Sequence, residues 1–215
     1  MERRMLRTAV VLILGFAGAA PQQTTDPATE AARMQDIYAV YSAAIASSSV
    51  IGGDTNKQYA IAFRTTPAML GRSFFQDAPD PVKERFSACD APPPGYEDRW
   101  QEVLADSRSR GDAPAPLVRG LQLTKPYVYL SAEEQSVFFS THTINARPVP
   151  NPQFGGAVSV ISLSNVFFDK DRKLAVMRFW SSCGMLCGSG ERKIFEKTPT
   201  GWKEVVGGTR CIMSA

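Results

Sequence analysis

The stretch VSVISLSNVFFDKDRKLAVMRFW, residues 158–180, decides the fold class of this 215-residue chain. β-Branched and aromatic residues dominate its first half, and residues 169–172 supply the polar composition of a turn. Leu174–Trp180 then carries apolar side chains on both of its faces, which is typical of a central strand covered on both sides. Further strands are predicted at 192–197, 202–206 and 210–213. The C-terminal third therefore predicts an antiparallel β-meander of at least four strands.

A long helix is predicted near the N terminus. Asp26-Pro27 is typical of a helix start, because Asp caps free backbone N–H groups and Pro leaves none unpaired at the first helical position. Apolar residues then recur at three- and four-residue steps, which predicts a buried face made by Ala31, Met34, Tyr38, Tyr41 and Ile45.

Two more helices and two isolated strands are predicted in the middle of the chain. Acidic residues open and basic residues close a helix over 97–110, and the capping-box spacing of Ser131 and Glu134 predicts a short helix that ends near Thr141. Residues 59–63 and 126–130 have the composition of short strands. The expected fold is α+β, with N-terminal helices packed on the C-terminal antiparallel meander and disulfides stabilising it.

The N terminus has the features of an export signal. Three arginines precede an apolar run that is shorter than the roughly 20 residues needed to cross a bilayer, and small residues follow it. We therefore expect a signal peptide over 1–19, a flexible lead-in over 20–26 and a single α+β domain over 27–215. An uncleaved anchor is the alternative for the first segment. The expected location is the periplasm or the medium.

The charge balance argues against nucleic acid as a partner. The chain has 24 Lys and Arg against 21 Asp and Glu, and the leader holds three Arg and one Glu of these, which leaves 21 against 20. Nucleic-acid binding needs a basic surface that displaces phosphate counterions. We expect no nucleic-acid partner and no membrane span after signal cleavage, and the oligomeric state is not predicted.

The four cysteines are Cys89, Cys183, Cys187 and Cys211. An even number in an exported chain predicts disulfides, and four cysteines allow three pairings. The meander would bring Cys211 near the loop that follows residue 182, so we expect Cys211 to pair with Cys183 or Cys187 and the remaining one to pair with Cys89. A bond between Cys183 and Cys187 is the main alternative. A zinc site or a redox-active dithiol is less well matched by these spacings.

Other chemistry-bearing motifs favour structural roles. His142 is the single histidine and has no nucleophile motif beside it. Asp169 and Asp171 are interpreted as turn formers, Gly188-Ser189-Gly190 as a turn, and Arg110-Gly111-Asp112 as a helix C-terminus rather than a receptor-binding tripeptide. No catalytic residue, metal site or cofactor is predicted.

The cysteine-bounded loop is the one candidate binding element. Met185 and Leu186 lie between Cys183 and Cys187, so two apolar side chains are expected at the tip of a cross-linked loop. A rigid loop loses little conformational entropy when it binds. The hypothesis is that residues 184–190 form a partner-binding element.

The C-terminal motifs also resemble a known group. Ile161-Ser-Leu-Ser-Asn165, the strand that ends at Trp180, Cys183-Gly-Met-Leu-Cys-Gly188, Phe195-Glu-Lys and Gly201-Trp202-Lys203 together resemble uncharacterised exported bacterial proteins with a C-G-x-L-C-G loop. Here Gly201 directly precedes Trp202, where the group has a Gly-Lys-Trp-like turn. The likeness covers about residues 158–213. It implies export and the β-meander, and it implies no activity and no site residue.

Two functions follow as expectations. The first is an exported non-catalytic protein that binds a small ligand, an envelope component or a protein partner. The alternative is a secreted or periplasmic hydrolase that uses carboxylates and Ser or Thr. A concave pocket with two close carboxylates, or a Ser beside His142, would favour the hydrolase.

Overall fold

The computed structural model describes residues 26–48, 57–68, 70, 91–141, 150–184, 187–205 and 212–214. Within these residues the helices are α1 (Pro27–Ser47), α2 (Glu97–Arg110) and α3 (Ala132–Thr141), and a 3-10 turn lies at Pro152–Phe154. The strands are β1 (Tyr59–Ala62), β2 (Tyr127–Leu130), β3 (Val160–Leu163), β4 (Phe167–Phe168), β5 (Leu174–Gly184), β6 (Cys187–Thr198), β7 (Gly201–Glu204) and β8 (Ile212–Ser214). The protein is therefore α+β.

The predicted helix starts are confirmed by their caps. The Asp26 side chain accepts a hydrogen bond from the N–H of Ala28 at the start of α1. Before α3, Ser131 and Glu134 each accept a hydrogen bond from the other's backbone N–H, at 3.2 and 2.7 Å, which is a capping box. Acidic residues in the first turn of α2 and basic residues in its last turn oppose the helix dipole as expected.

The described strands form one mixed sheet in the order β2-β1-β3-β5-β6-β7, with β4 also paired to β5 and β8 to β6. β1 pairs in parallel with both β2 and β3, whereas the pairs from β3 onward are antiparallel. The predicted C-terminal antiparallel meander is present in β3, β5, β6 and β7, but the sheet also contains β1 and β2, whose parallel pairing was not predicted. The connections that precede β2 and β3 contain α2 and α3, and crossovers of that length permit parallel pairing.

Both faces of the sheet are covered. Odd-numbered residues of β5, such as Met177 and Phe179, pack against α1, while Leu174 and Val176 pack on the opposite face with Trp100 of α2. α3 covers the β1–β3 end of that opposite face. The prediction that residues 174–180 form a central, covered strand is confirmed, because β5 lies between β3 and β6 with helices on both sides.

α1 is rotated relative to the predicted buried face. Tyr41 and Ile45 are buried as expected, but Val40 and Ala44 are buried beside them. Ala31 is exposed, and Met34 keeps 39% of its surface exposed. Met34 lines a cleft instead of the core.

The β5–β6 hairpin is longer than predicted. β6 begins at Cys187, so Gly188-Ser189-Gly190 belongs to a strand and the interpretation as a turn is wrong. These glycines make room for Trp180, the register partner of Gly190: a Cβ on Gly190 would lie 1.9 Å from Cε3 of the indole. Glycine is intrinsically disfavoured in strands. Here it is required because the indole ring on the neighbouring strand leaves no room for a Cβ.

Within the described residues, no helix is both long enough and apolar enough to cross a lipid bilayer.

Candidate functional site

Polar side chains meet where the parallel strands β1 and β3 end. Thr65 lies just beyond β1 and Asn165 just beyond β3, and the Thr65 hydroxyl donates to Oδ1 of Asn165 at 2.8 Å. The same hydroxyl accepts the N–H of Ala115, and Nδ2 of Asn165 donates to the carbonyl oxygen of Ala113. These bonds hold residues 111–117 across the strand ends. In sheets with parallel strands, this edge is a common place for ligands to bind.

Gly111 and Asp112 direct the chain from α2 into this segment. Gly111 closes the helix at φ 71°, a conformation that favours glycine. Asp112 Oδ1 accepts the N–H of Ala68 at 2.8 Å, so this carboxylate supports the fold locally. The interpretation of Arg110-Gly111-Asp112 as a helix C-terminus is confirmed.

A cleft of about 280 Å³ lies between the N-terminal half of α1 and residues 111–117. Its volume is close to the lower end of the range for small-molecule sites, about 300–1,000 Å³. Most of its wall is apolar. The side chains that line it include Met34, Ile37, Tyr38, Tyr41 and Leu117. The partial exposure of Met34 is therefore exposure into a concave surface.

Arg33 is the charged group at the base of this cleft. Its side chain is only 8% exposed, and its Nη2 donates to Oδ2 of Asp106 at 2.9 Å and to the carbonyl oxygen of Val166 at 3.3 Å. The guanidinium carbon lies 4.8 Å from the centre of the Phe168 ring. Burial lowers the pKa of Arg33, and the Asp106 carboxylate opposes that shift. No described residue accepts a hydrogen bond from Nε or Nη1 of Arg33.

Arg110 and Glu30 form the exposed rim. Nε of Arg110 lies 2.9 Å from Oδ1 of Asp106, whereas its Nη1 lies 3.5 Å from Oε2 of Glu30. Arg110 is 40% and Glu30 is 44% exposed, so water screens the second contact strongly. Among the described residues, the charged side chains that line the cleft are two guanidinium groups and one carboxylate.

A second cavity of about 480 Å³ lies on the other side of Arg33, between α1 and α2. Three carboxylates line it, and each one faces a cation: Asp106 faces Arg33, Glu102 lies 2.8 Å from Lys170, and Asp169 lies 2.8 Å from Arg99. Asp169 also accepts the N–H groups of residues 173 and 174, which confirms it as a turn former. None of the carboxylates that line this cavity is free to act as a catalytic base without first leaving its partner.

A buried ion cluster lies elsewhere on the sheet. Lys193 is 1% exposed, and its Nζ lies 2.8 Å from Glu191 and 2.9 Å from Glu204. It also lies 3.3 Å from the hydroxyl of Ser47 at the end of α1. The cluster joins β6, β7 and α1, so its role is structural. The sequence pattern did not indicate it, because alternating charges in a strand usually mark an exposed face.

A disulfide lies at the end of the β5–β6 hairpin. Cys183 and Cys187 are bonded to each other, with their Cα atoms 5.1 Å apart. The expected bond from Cys211 to one of them is therefore wrong, and the alternative pairing is confirmed. The reason is the length of β6, which places Cys187 in register opposite Gly184 and so next to Cys183 in the same hairpin. Cys89, Cys211, His142, Met185 and Leu186 lie outside the described residues.

The predicted and observed site residues overlap little. Met34, Tyr38 and Tyr41, which the periodicity places on the core face of α1, all line the cleft, and Tyr41 also belongs to the buried core. The sequence pattern did not indicate Arg33 as a site residue. Arg33 lies four residues before Ile37 and eight before Tyr41, so it shares their helical face. Among the described residues, no group of three or more His, Cys, Asp or Glu side chains is placed to hold a metal ion.

No family model, curated protein or solved structure matches this chain.

Proposed function

We propose that the protein is an exported, non-catalytic binding protein whose cleft between α1 and residues 111–117 holds a small ligand. The observation that carries the proposal is the cleft itself: a concave, mainly apolar surface at the carboxyl ends of β1 and β3, with a buried guanidinium at its base. Small-molecule sites have this composition, with a mostly apolar wall and a few polar groups that orient the ligand.

The arrangement of carboxylates favours binding over hydrolysis. A hydrolase would need a carboxylate that is free to activate water or to attack the substrate. The carboxylates of the larger cavity and that of Glu30 at the rim all face cations instead. The Thr65 hydroxyl donates to Asn165 and accepts the N–H of Ala115, so both of its hydrogen-bonding roles are already used.

Export remains part of the proposal. The leader over 1–19 supports it, and the Cys183–Cys187 disulfide is of the kind that persists in an oxidising compartment, the periplasm or the medium. N-terminal sequencing of protein recovered from the periplasm and the medium tests this directly. We expect the chain to begin at Ala20, and a chain that retains its leader and has free thiols would contradict export.

Met185 and Leu186 are proposed as a second contact, for a protein or envelope partner. Because β6 begins at Cys187, the element is confined to these two residues rather than to 184–190. Met185→Asp with Leu186→Asp should abolish partner binding and leave the melting temperature unchanged. A clear loss of stability would instead mean that the two side chains pack inward, and unchanged binding would remove the tip from the proposal.

A fragment screen by ligand-observed NMR tests the cleft. Protein is purified from cells that express the full chain, and each hit is repeated on Met34→Trp, which places an indole in the cleft. Gln35→Trp is the matched control, because Gln35 is exposed on the same helix and does not line the cleft. We expect hits that Met34→Trp loses and Gln35→Trp keeps. A screen in which every hit binds both variants equally would place binding elsewhere.

A further inference from the structure

We infer that the ligand of this cleft is a small organic anion, with one carboxylate on an apolar body, that pairs with Arg33 and Arg110. This inference rests on the proposed function and names its ligand class. It is carried by three properties of the cleft: its volume, the charges that line it and the unused donors of Arg33.

The volume sets the size of the ligand. A cavity of roughly 150 Å³ holds benzene, which has six non-hydrogen atoms. The cleft, at about 280 Å³, is nearly twice as large. A body of about ten or eleven non-hydrogen atoms fits that space, which corresponds to an aromatic ring with a short acidic side chain.

The lining charges favour an anion. Among the described residues that line the cleft, Arg33 and Arg110 are the cations and Glu30 is the carboxylate, while Asp106, which pairs with both arginines, lines the larger cavity instead. Glu30 reaches Arg110 only at 3.5 Å and from an exposed position, so its pairing with Arg110 is weak. A ligand carboxylate that is shielded from water by the apolar wall would compete well for the same guanidinium.

The unused donors of Arg33 provide the docking point. Asp106 holds Nη2 from the side of the larger cavity and thereby fixes the plane of the guanidinium. Nε and Nη1 have no acceptor among the described residues, and the side chain lines the cleft. The Nε–H and Nη1–H bonds point to different sides of the guanidinium, so each one can donate a separate hydrogen bond to a single oxygen of a ligand carboxylate, and Arg110 would supply the donor for the other oxygen. Because the packing of Phe168 and the contact with Asp106 already hold Arg33, little conformational entropy is lost on binding.

Isothermal titration with three probes of similar size tests the inference: 3-phenylpropionate, 3-phenylpropanamide and butylbenzene. The amide keeps an oxygen acceptor without the charge, and butylbenzene keeps only the apolar body. Hydrogen bonds to charged groups exceed neutral ones by about 1 kcal/mol, so we expect the acid to bind about fivefold more tightly than the amide. Equal affinities for all three probes would overturn the inference.

Two rim variants make the test specific. Glu30→Gln removes the competing carboxylate from an exposed position, so it should tighten binding of the acid about twofold to fivefold and leave the amide unchanged. Arg110→Gln should weaken the acid and leave butylbenzene unchanged. If neither substitution changes the affinity for the acid, the acid does not bind at this rim, and the inference is contradicted.

The outcomes separate this inference from the proposed function. The cleft is a binding site if butylbenzene or fragments bind and Met34→Trp abolishes their binding. If in that case the acid binds no more tightly than the amide, the ligand is not an anion and only the further inference is wrong. If acid binding survives Met34→Trp, the acid binds elsewhere and the inference falls. Preference for the acid that disappears in Met34→Trp and persists in Gln35→Trp supports both.

Discussion

Asp106 of α2 binds the buried guanidinium of Arg33 in α1, with Nη2 of Arg33 2.9 Å from Oδ2 of Asp106, although the two residues are 73 positions apart. The same oxygen accepts the N–H of Phe168 at the start of the β4–β5 hairpin. One carboxylate thus joins both helices to the sheet, and the Arg33 side chain that it holds lines both the small cleft and the larger cavity.

Replacement of Asp106 should destabilise the protein. Asp106→Asn leaves a buried cation without its counter-charge and should lower the free energy of unfolding by about 2–3 kcal/mol, and Asp106→Ala by about 3–5 kcal/mol. Urea unfolding measures both. Asp171→Asn is the control, since this carboxylate is exposed, and should change stability by less than about 0.5 kcal/mol. If Asp106→Asn behaves like the control, the contact contributes nothing.

Substitution of Gly190 tests the packing of Trp180. A Cβ at Gly190 would overlap the indole, whereas one at Gly188 would lie 3.2 Å from it, so Gly190→Ala should cost about 1–3 kcal/mol and Gly188→Ala less. Adding Trp180→Leu to Gly190→Ala should recover part of the loss, because the overlapping ring is gone. Thermal unfolding of the single and double variants measures these changes in stability. Additive effects in the double variant would rule out this contact.

Stability should fall above about pH 10, in part because of Tyr41. Burial raises the pKa of Tyr41 above its ordinary value of 10.0, and its hydroxyl donates to the carbonyl oxygen of Ser164. The unfolded chain loses this proton near pH 10 while the folded protein keeps it, so the folded state binds more protons there. The stabilisation of the folded state by Tyr41 is therefore fully present below pH 10. It declines as the pH rises above 10, by at most about 1.4 kcal/mol per pH unit.

Tyr41→Phe provides the comparison for that pH dependence. The variant should be less stable at pH 7, by about 0.5–1.5 kcal/mol, because it lacks the hydrogen bond to Ser164. Its loss of stability between pH 9 and 12, followed by chemical unfolding, should be shallower than that of the unsubstituted protein. Parallel curves for the two proteins would mean that Tyr41 does not keep its proton in the folded state.

Disulfide mapping should find two separate cross-links. Cys183 and Cys187 fall in one tryptic peptide, 179–192, which should be two hydrogen masses lighter without reduction. We predict that Cys89 and Cys211 form the other bond. Although both lie outside the described residues, Ala91 accepts a hydrogen bond from Arg192, and Ile212 is the register partner of Glu191.

Mass spectrometry of the unreduced digest tests the second bond as a cross-link between peptides 86–99 and 211–215. A cross-link from 211–215 to 179–192 would contradict the Cys183–Cys187 pairing. Free thiols at Cys89 and Cys211 would contradict the second bond alone.

Features that depend on near neighbours in the chain were predictable. The Asp26 cap, the capping box of Ser131 and Glu134, and the turn at Asp169 each join groups at most five residues apart. The covered position of β5 was also predictable, because apolar side chains on both faces of a strand have no other stable environment.

The candidate site was less accessible to such reasoning. Met34 and Tyr41 belong to the same spacing pattern and both line the cleft, yet Met34 is 39% exposed and Tyr41 is buried, and periodicity does not distinguish the two. Arg33 is of a residue type that is rarely buried unless it is paired, and its partners Asp106 and Val166 are 73 and 133 residues away.

The sequence alone determined the helix boundaries, the turn at 169–172, the α+β class and an even set of cysteines. Only the tertiary structure decided the parallel pairing of β1 with β3, the extension of β6 through three residues that resemble a turn, the choice of Cys187 as the partner of Cys183, and the cleft beside Arg33. The physical reason is range: caps and turns are stabilised by atoms within a few residues, whereas these features depend on which distant segments the folded sheet brings into contact.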